Sequence, residues 1–246
     1  MPPGAQAGAR PRRRCPRRLA APRAGGGPPH AAIPALVQFY ARQAPHLDVN
    51  HLLDDRILRL LGQSRYPEAQ ARLLDLARAS VHGHHARAVL VTCSSVTPEM
   101  TAALQRELAV PVLKIDTPLA ETAVRAGRRI GIVATFHGTV QPTTRLLEWA
   151  AREANRDVAL FHRLLPEAYE ALLSGDAERH DRIVLEAMDS MAAQADVLVL
   201  AQVSHARLLP HVGRFPIPVL SSLPLSLDAL DAALAQEKVP DSTPVP

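Results

Sequence analysis

The sequence predicts an α/β fold of two pseudo-symmetric lobes, each a short parallel sheet flanked by helices, facing each other across a cleft. Three observations carry that expectation. From residue 33 onward, short aliphatic runs alternate with helix-length amphipathic segments, the order of parallel strands wound through βαβ units. Several of those runs are apolar at every position, the mark of strands buried on both faces. The order also repeats within the chain. Val89-Leu90-Val91-Thr92-Cys93-Ser94-Ser95 lies over Leu198-Val199-Leu200-Ala201-Gln202-Val203-Ser204. Pro111-Val112-Leu113 followed by Pro118-Leu119 lies over Pro218-Val219-Leu220 followed by Pro224-Leu225.

The elements follow in order. Pro34 to Ala44 reads as a helix with Leu36, Val37 and Tyr40 on one face, and Leu47 to Leu53 as a strand. Asp54 or Asp55 caps a short helix through Leu61. Leu73, Leu74, Ala77 and Val81 recur at helical spacing over Pro67 to Val81, and Gly83 ends that helix. The strand leading to Cys93 comes next, then a helix over 98–109, a strand Val110 to Ile115 and a helix Pro118 to Ala126. Later strands are Arg129 to Ala134, Asp157 to Leu164, Val197 to Gln202 and Pro218 to Ser221. Helices fall near 141–155, 166–174, 177–194, 204–211 and 226–236. The expected organisation is a tail over 1–29, a first lobe over 30–116, a second lobe over 117–217, a return to the first lobe over 218–236, and a flexible tail over 237–246.

Composition narrows the function classes. At 246 residues and 47% hydrophobic, the chain can bury one large core or two small ones. No apolar run approaches the roughly 18 to 20 residues that span a bilayer, so no membrane partner is expected. The net charge of +4 is misplaced: seven of the 28 basic residues lie in residues 1–23, and the rest of the chain carries more acids than bases. Without a basic face on the folded part, a nucleic-acid partner is not expected either. Residues 1–29 are rich in Arg, Pro, Ala and Gly without periodicity and lack the apolar core of a secretory signal. A start assigned too far upstream in a GC-rich gene gives such a composition, and the stretch is expected to be disordered. Two cysteines, Cys15 and Cys93, make no disulfide framework, which points to a reducing cytoplasm.

The chemistry-bearing stretch is Thr92 to Glu99. Thr97 is placed to cap a helix, Pro98 suits its first position, and Glu99 complements its dipole. Cys93, Ser94 and Ser95 then sit at the carboxyl end of a parallel strand, where open α/β sheets bind ligands. A free cysteine is often a small buried hydrophobe. Here the helix N-terminus is expected to lower its pKa and favour the thiolate. Ser94 and Ser95 can cap the helix, bind an anion, or do both. Gln202 ends the matching strand of the second half. His205 is read as a surface residue, and as the best candidate for a replacement acid. His82-Gly83-His84-His85 lacks a carboxylate or cysteine at metal-ligand spacing, so no metal is expected. No Walker-type or GxGxxG loop is present, and Lys114 and Lys238 have no pyridoxal-phosphate context, so no cofactor is expected.

Over roughly residues 33–235 the chain resembles the aspartate/glutamate/hydantoin racemase superfamily. The residues that carry the likeness are Leu90 to Ser95; Arg129 to Thr135 with Thr139; and Asp196 to Gln202 with Ser204 and Arg207. The resemblance implies an active site between the lobes, with one cysteine on each side of a substrate's α-carbon. Cys93 matches the first of them, with Ser94 and Ser95 as carboxylate-binding neighbours. Thr135, Thr139 and Ser204 supply further substrate contacts. The chain departs from the pattern at Gln202, where the second cysteine belongs, because an amide is no general acid or base near neutral pH. It also departs before residue 33, where the family has an apolar strand and this chain has Gly-Gly-Gly-Pro-Pro-His. The expected function is therefore a cofactor-independent, racemase-type isomerase acting beside the carboxylate of a small acid, with Cys93 as acid/base and Gln202 facing it. A single-cysteine arylmalonate-type decarboxylase and an inactive carboxylate-binding protein are the rivals. Dimers are common in the superfamily, and nothing in the sequence contradicts a homodimer.

Overall fold

Eight parallel strands form two four-stranded sheets of identical order in the computed structural model, which describes residues 17–23 and 32–236. The first sheet contains β1 (Arg17–Arg23), β2 (Leu47–Leu53), β3 (Ala88–Val91) and β4 (Val112–Lys114) in the order β2-β1-β3-β4. The second contains β5 (Arg129–Ala134), β6 (Ala159–Leu164), β7 (Val197–Leu200) and β8 (Val219–Ser221) in the order β6-β5-β7-β8. The internal repeat appears directly in the register. Val89 pairs with Val112, and its counterpart Leu198 pairs with Val219.

The helices are α1 (Ala32–Gln43), α2 (Asp55–Gly62), α3 (Tyr66–Arg78), α4 (Pro98–Glu107), α5 (Thr117–Ala126), α6 (His137–Glu153), α7 (Pro166–Leu173), α8 (Ala177–Ala192) and α9 (Ser222–Gln236). A π turn over Ala79–Gly83 extends α3, and a 3₁₀ helix spans Val203–Arg214. Local chemistry sets several starts. Asp54 accepts the Arg56 N–H ahead of α2, and the Thr97 hydroxyl accepts the Met100 N–H ahead of α4, which begins at Pro98.

Strand alternation divides the core into four layers. Val89 and Val91 face α2, α3 and α4, while Ala88 and Leu90 face α1 and α9. Ile130, Ile132, Val197 and Val199 face α5 and α6, while Leu198 and Leu200 face α8 and the 3₁₀ helix. Each sheet is thus covered on both faces, which is why β3 and β7 are apolar at every position.

Four expectations need correction. Residues 17–23, assigned to a disordered tail, form β1, paired with β2 along its length and with β3 at Leu19 and Ala20. Arg-Arg-Leu-Ala-Ala-Pro-Arg has no strand periodicity, and its slot between β2 and β3 is supplied by backbone pairing. It fills the place that β5 fills in the other sheet, so the first lobe is not missing that strand. The expectations for 1–16, 24–31 and 237–246 lie outside the described residues. Second, β8 belongs to the second sheet, so only α9 returns to the first lobe, packing Leu223, Leu230 and Leu234 beside α1. Third, Val37 is 43% exposed while Leu36 and Tyr40 are buried. A step of about 100° per residue carries it off the core face. Fourth, β7 stops at Leu200, two residues short of Gln202. Among the described residues no helix is long and apolar enough to cross a membrane.

Candidate active site

The chain after β3 turns along a cleft of about 610 Å³ between the lobes. Residues Ser94 to Glu99 form its first-lobe wall with Lys114, and Phe136, Gly138, Arg145, Trp149 and Arg152 belong to its second-lobe side. A pocket of this size suits a small organic ligand. A smaller cavity beside it is lined by Ser94, Asp116, Thr143, Val203 and Ser222. Ser94 and Val203 occupy equivalent places in the internal repeat, so the two strand ends meet at this small cavity.

Cys93 lies just behind that wall. It is 3% exposed and packs with Val89, Val91, Val96 and Met100 in the first-lobe core. Burial raises its thiol pKa above the ordinary value. Hydrogen bonds from the Ser95 N–H, the Val96 N–H and the Ser95 hydroxyl, together with the nearby Lys114 ammonium, pull the other way without overcoming burial. The expected thiolate-favouring site is therefore a site that keeps the thiol protonated, because desolvation outweighs the donors at the turn.

The second strand end is arranged differently. The Gln202 side-chain oxygen accepts the Thr135 N–H at 2.6 Å, the Phe136 N–H at 3.2 Å and the Thr135 hydroxyl at 3.1 Å. Three donors converge on one neutral oxygen and tie the end of β7 to the loop between β5 and α6. Thr139 donates its hydroxyl to the Phe136 carbonyl at 2.7 Å and is buried, as is Thr135. Ser94 and Ser95 reach the cleft; Thr135, Thr139, Gln202 and Ser204 line neither the cleft nor the small cavity. The loop bound by Gln202 nonetheless presents the Phe136 ring to the cleft. That ring packs on Tyr169 at 5.3 Å, and Gly138 makes room for it, since a Cβ there would come within 2.5 Å of the ring. Pro142, also in the cleft lining, has no N–H to give the Gly138 carbonyl four residues earlier.

His205, expected at the surface or in the cleft, is fully buried beside His180, with ring centroids 5.8 Å apart. Its ring nitrogens have no hydrogen-bond partner, and burial with the adjacent His180 holds its pKa down to about 3. Such an imidazole stays neutral and is not a cleft acid.

Lys114 and Asp116 were given no role from the sequence, yet both are buried at the end of β4 and hydrogen-bonded to each other. The available signal was two charges interrupting the apolar run Val112-Leu113-Lys114-Ile115-Asp116. Among the described residues no group of three or more His, Cys, Asp or Glu side chains is arranged to hold a metal.

Two parallel sheets of one order, facing across a cleft at their carboxyl ends, define a two-lobed α/β protein. The family model described as Asp/Glu/Hydantoin racemase matches residues 55–230, and the chain belongs to that family. Its fold is similar to that of glutamate racemase isoform RacE1 from Bacillus anthracis, at 18% identity and TM-score 0.65 over 89% of this chain and 82% of that one. Allantoin racemase from Klebsiella pneumoniae matches at 17% identity and TM-score 0.65 over 89% and 87%. The Gly74Cys mutant of arylmalonate decarboxylase matches at 16% identity and TM-score 0.58 over 89% and 94%. No curated protein matches the sequence.

Proposed function

We propose that this protein is a cofactor-independent enzyme acting at the carbon next to a carboxylate, with Cys93 as its single proton donor. The observation that carries the reading is the inequality of the two strand ends. One holds a buried, protonated thiol one residue from the cleft wall; the other holds an amide whose oxygen is already bonded. Racemisation by two opposed thiols needs a thiolate on one side and a thiol on the other, and Gln202 supplies neither. A lone thiol suits decarboxylation. The bond to a carboxylate breaks, its electrons pass to an enolate, carbon dioxide leaves, and the Cys93 proton goes to carbon. Solvent then reprotonates the sulfur. Racemases and a decarboxylase share this fold, so the preference rests on the missing second thiol and not on the fold likeness. Because Cys93 is 3% exposed, the Ser94–Val96 turn must give way for the sulfur to meet a substrate carbon. Ser94 and Ser95 would hold the carboxylate from the cleft wall. The same burial favours a second reading, a carboxylate-binding protein without turnover.

Proton NMR in deuterium oxide over amino acids, hydantoins and substituted malonates separates these readings, with Cys93→Ala as control. Carbon dioxide release with one deuterium incorporated marks the decarboxylase. Exchange of the α-hydrogen from both enantiomers marks a racemase. Malonate binding without turnover, equal in parent and Cys93→Ala, marks the binding protein.

A further inference from the structure

Among residues 35–236, Lys114 is the one lysine or arginine that is buried, at 3% exposure. It stands at the carboxyl end of β4 and lines the cleft with Ser94 and Ser95. Its ammonium donates to Asp116, itself 7% exposed, which lines the small cavity together with Ser94 and Thr143. Removing two charges from water is costly, and a well-packed apolar pair of similar size is often as stable. Stability alone therefore gives no reason for an ion pair at this spot. An ammonium has three donors, and Asp116 takes one.

The other cleft cations differ in kind. Arg145 and Arg152 are exposed on α6, and Glu148 lies on the same helix with Glu99 facing it from α4. Exposed charges in mixed company are screened and select weakly. A buried ammonium in a cleft wall acts through a lower dielectric and binds an anion more strongly.

We propose that Lys114 is the cation that receives the carboxylate of the small acid, with Asp116 holding its ammonium at the cleft wall. The inference rests on the cleft being a carboxylate site, as in the function proposed above. It adds the residue that selects for charge and places the carboxylate beside Ser94, Ser95 and the thiol.

The probe is malonate, with malonamide as its neutral counterpart, followed by thermal shift and by NMR titration of the full chain. The parent is expected to bind malonate and to bind malonamide at least about tenfold more weakly, the scale of one charge-assisted contact. Lys114→Met leaves Asp116 buried and unpaired and can unfold the lobe, so the decisive variant is the double Lys114→Met, Asp116→Asn, which removes the pair together. It is expected to lose about tenfold or more in malonate affinity while its malonamide affinity stays put, and Lys114→Arg is expected to retain most of the malonate binding. Malonate affinity unchanged in the double variant overturns the role of Lys114 and leaves the carboxylate-site reading standing. A parent that binds malonate no better than malonamide overturns that reading, and this inference with it.

Discussion

In the first lobe the chain leaves β3, buries a thiol under a serine-bearing turn, and then runs along the cleft to Glu99. In the second lobe the equivalent chain leaves β7, and the side chain at the equivalent position folds back onto its own lobe. There the Gln202 oxygen takes three donors from the β5–α6 loop. The sheets beneath are the same in order and direction. At the matched position the side chains differ in reach: the Cys93 sulfur takes donors from its own turn, and the longer Gln202 amide takes those of the neighbouring loop. The comparison teaches that pseudo-symmetry of backbone leaves matched positions free to diverge: one end holds the thiol proposed to react, and the other braces its own lobe.

The largest expected effect is on the reactive end. Cys93→Ala should lower product formation by about 10²- to 10⁴-fold, the usual worth of a positioned proton donor, while leaving the fold intact. Deuterium incorporation by the purified variant checks it, and full turnover without the thiol would remove the distinction between the two ends.

Next comes acid stability, which should be limited by the second lobe. His205 has a folded pKa of about 3, below its unfolded value near 6.5, so the unfolded chain binds the extra proton. Stability should therefore be intact above about pH 6.5 and fall as the pH drops toward 3, by roughly 3 kcal/mol at pH 4. Urea unfolding at a series of pH values reads this slope, and His205→Leu should flatten it. An equally steep acid limb in that variant would place the sensitive group elsewhere.

The brace itself comes third. Gln202→Ala leaves the Thr135 and Phe136 N–H groups without their acceptor and should cost about 1 to 3 kcal/mol. Gln202→Glu keeps an acceptor there and should lie near the parent in urea unfolding. If both variants match the parent, the amide is no brace.

The smallest effect belongs to the seam between β5 and β7. Asp196 accepts the Arg128 and Arg129 N–H groups and the Arg129 guanidinium, and the hydrogen bonds from Arg129 do most to bring its pKa down to about 2. Its contribution is present above the unfolded value near 3.8 and is lost as pH falls through about 2. This window lies below that of His205. Asp196→Asn should lower stability slightly at neutrality, the effect being small because the pair is partly exposed to water, and its difference from the parent should close as the pH falls from about 3.8 toward 2.

The sheet scaffold was largely legible from residue pattern. β2 and β5 run over the residues expected of them, and the caps at Asp54 and Thr97 act as their chemistry requires. The repeat between the β3 and β7 regions is visible because strands covered on both faces must be apolar at every position. β1 was not legible, because Arg-Arg-Leu-Ala-Ala-Pro-Arg offers no apolar run or alternation, and its place is known only from its pairing with β2 and β3. At the site, sequence marked Cys93, Ser94 and Ser95 by their place after a buried strand. It also singled out Thr135 and Thr139, whose hydroxyls are bonded internally, and gave no role to Lys114 and Asp116, which are buried at the cleft wall and the small cavity.

By itself, then, the sequence determined the alternation of strands and helices, the twofold repeat, and the placing of a thiol and an amide at matched positions of that repeat. Those properties follow from local periodicity and residue identity. Only the tertiary structure decided that burial keeps Cys93 protonated, that Gln202 is bound to its own lobe, that His205 is buried beside His180, and that a lysine–aspartate pair stands at the cleft wall. Each of these depends on which groups lie within a few ångströms across long sequence separations, and on how much water remains around them.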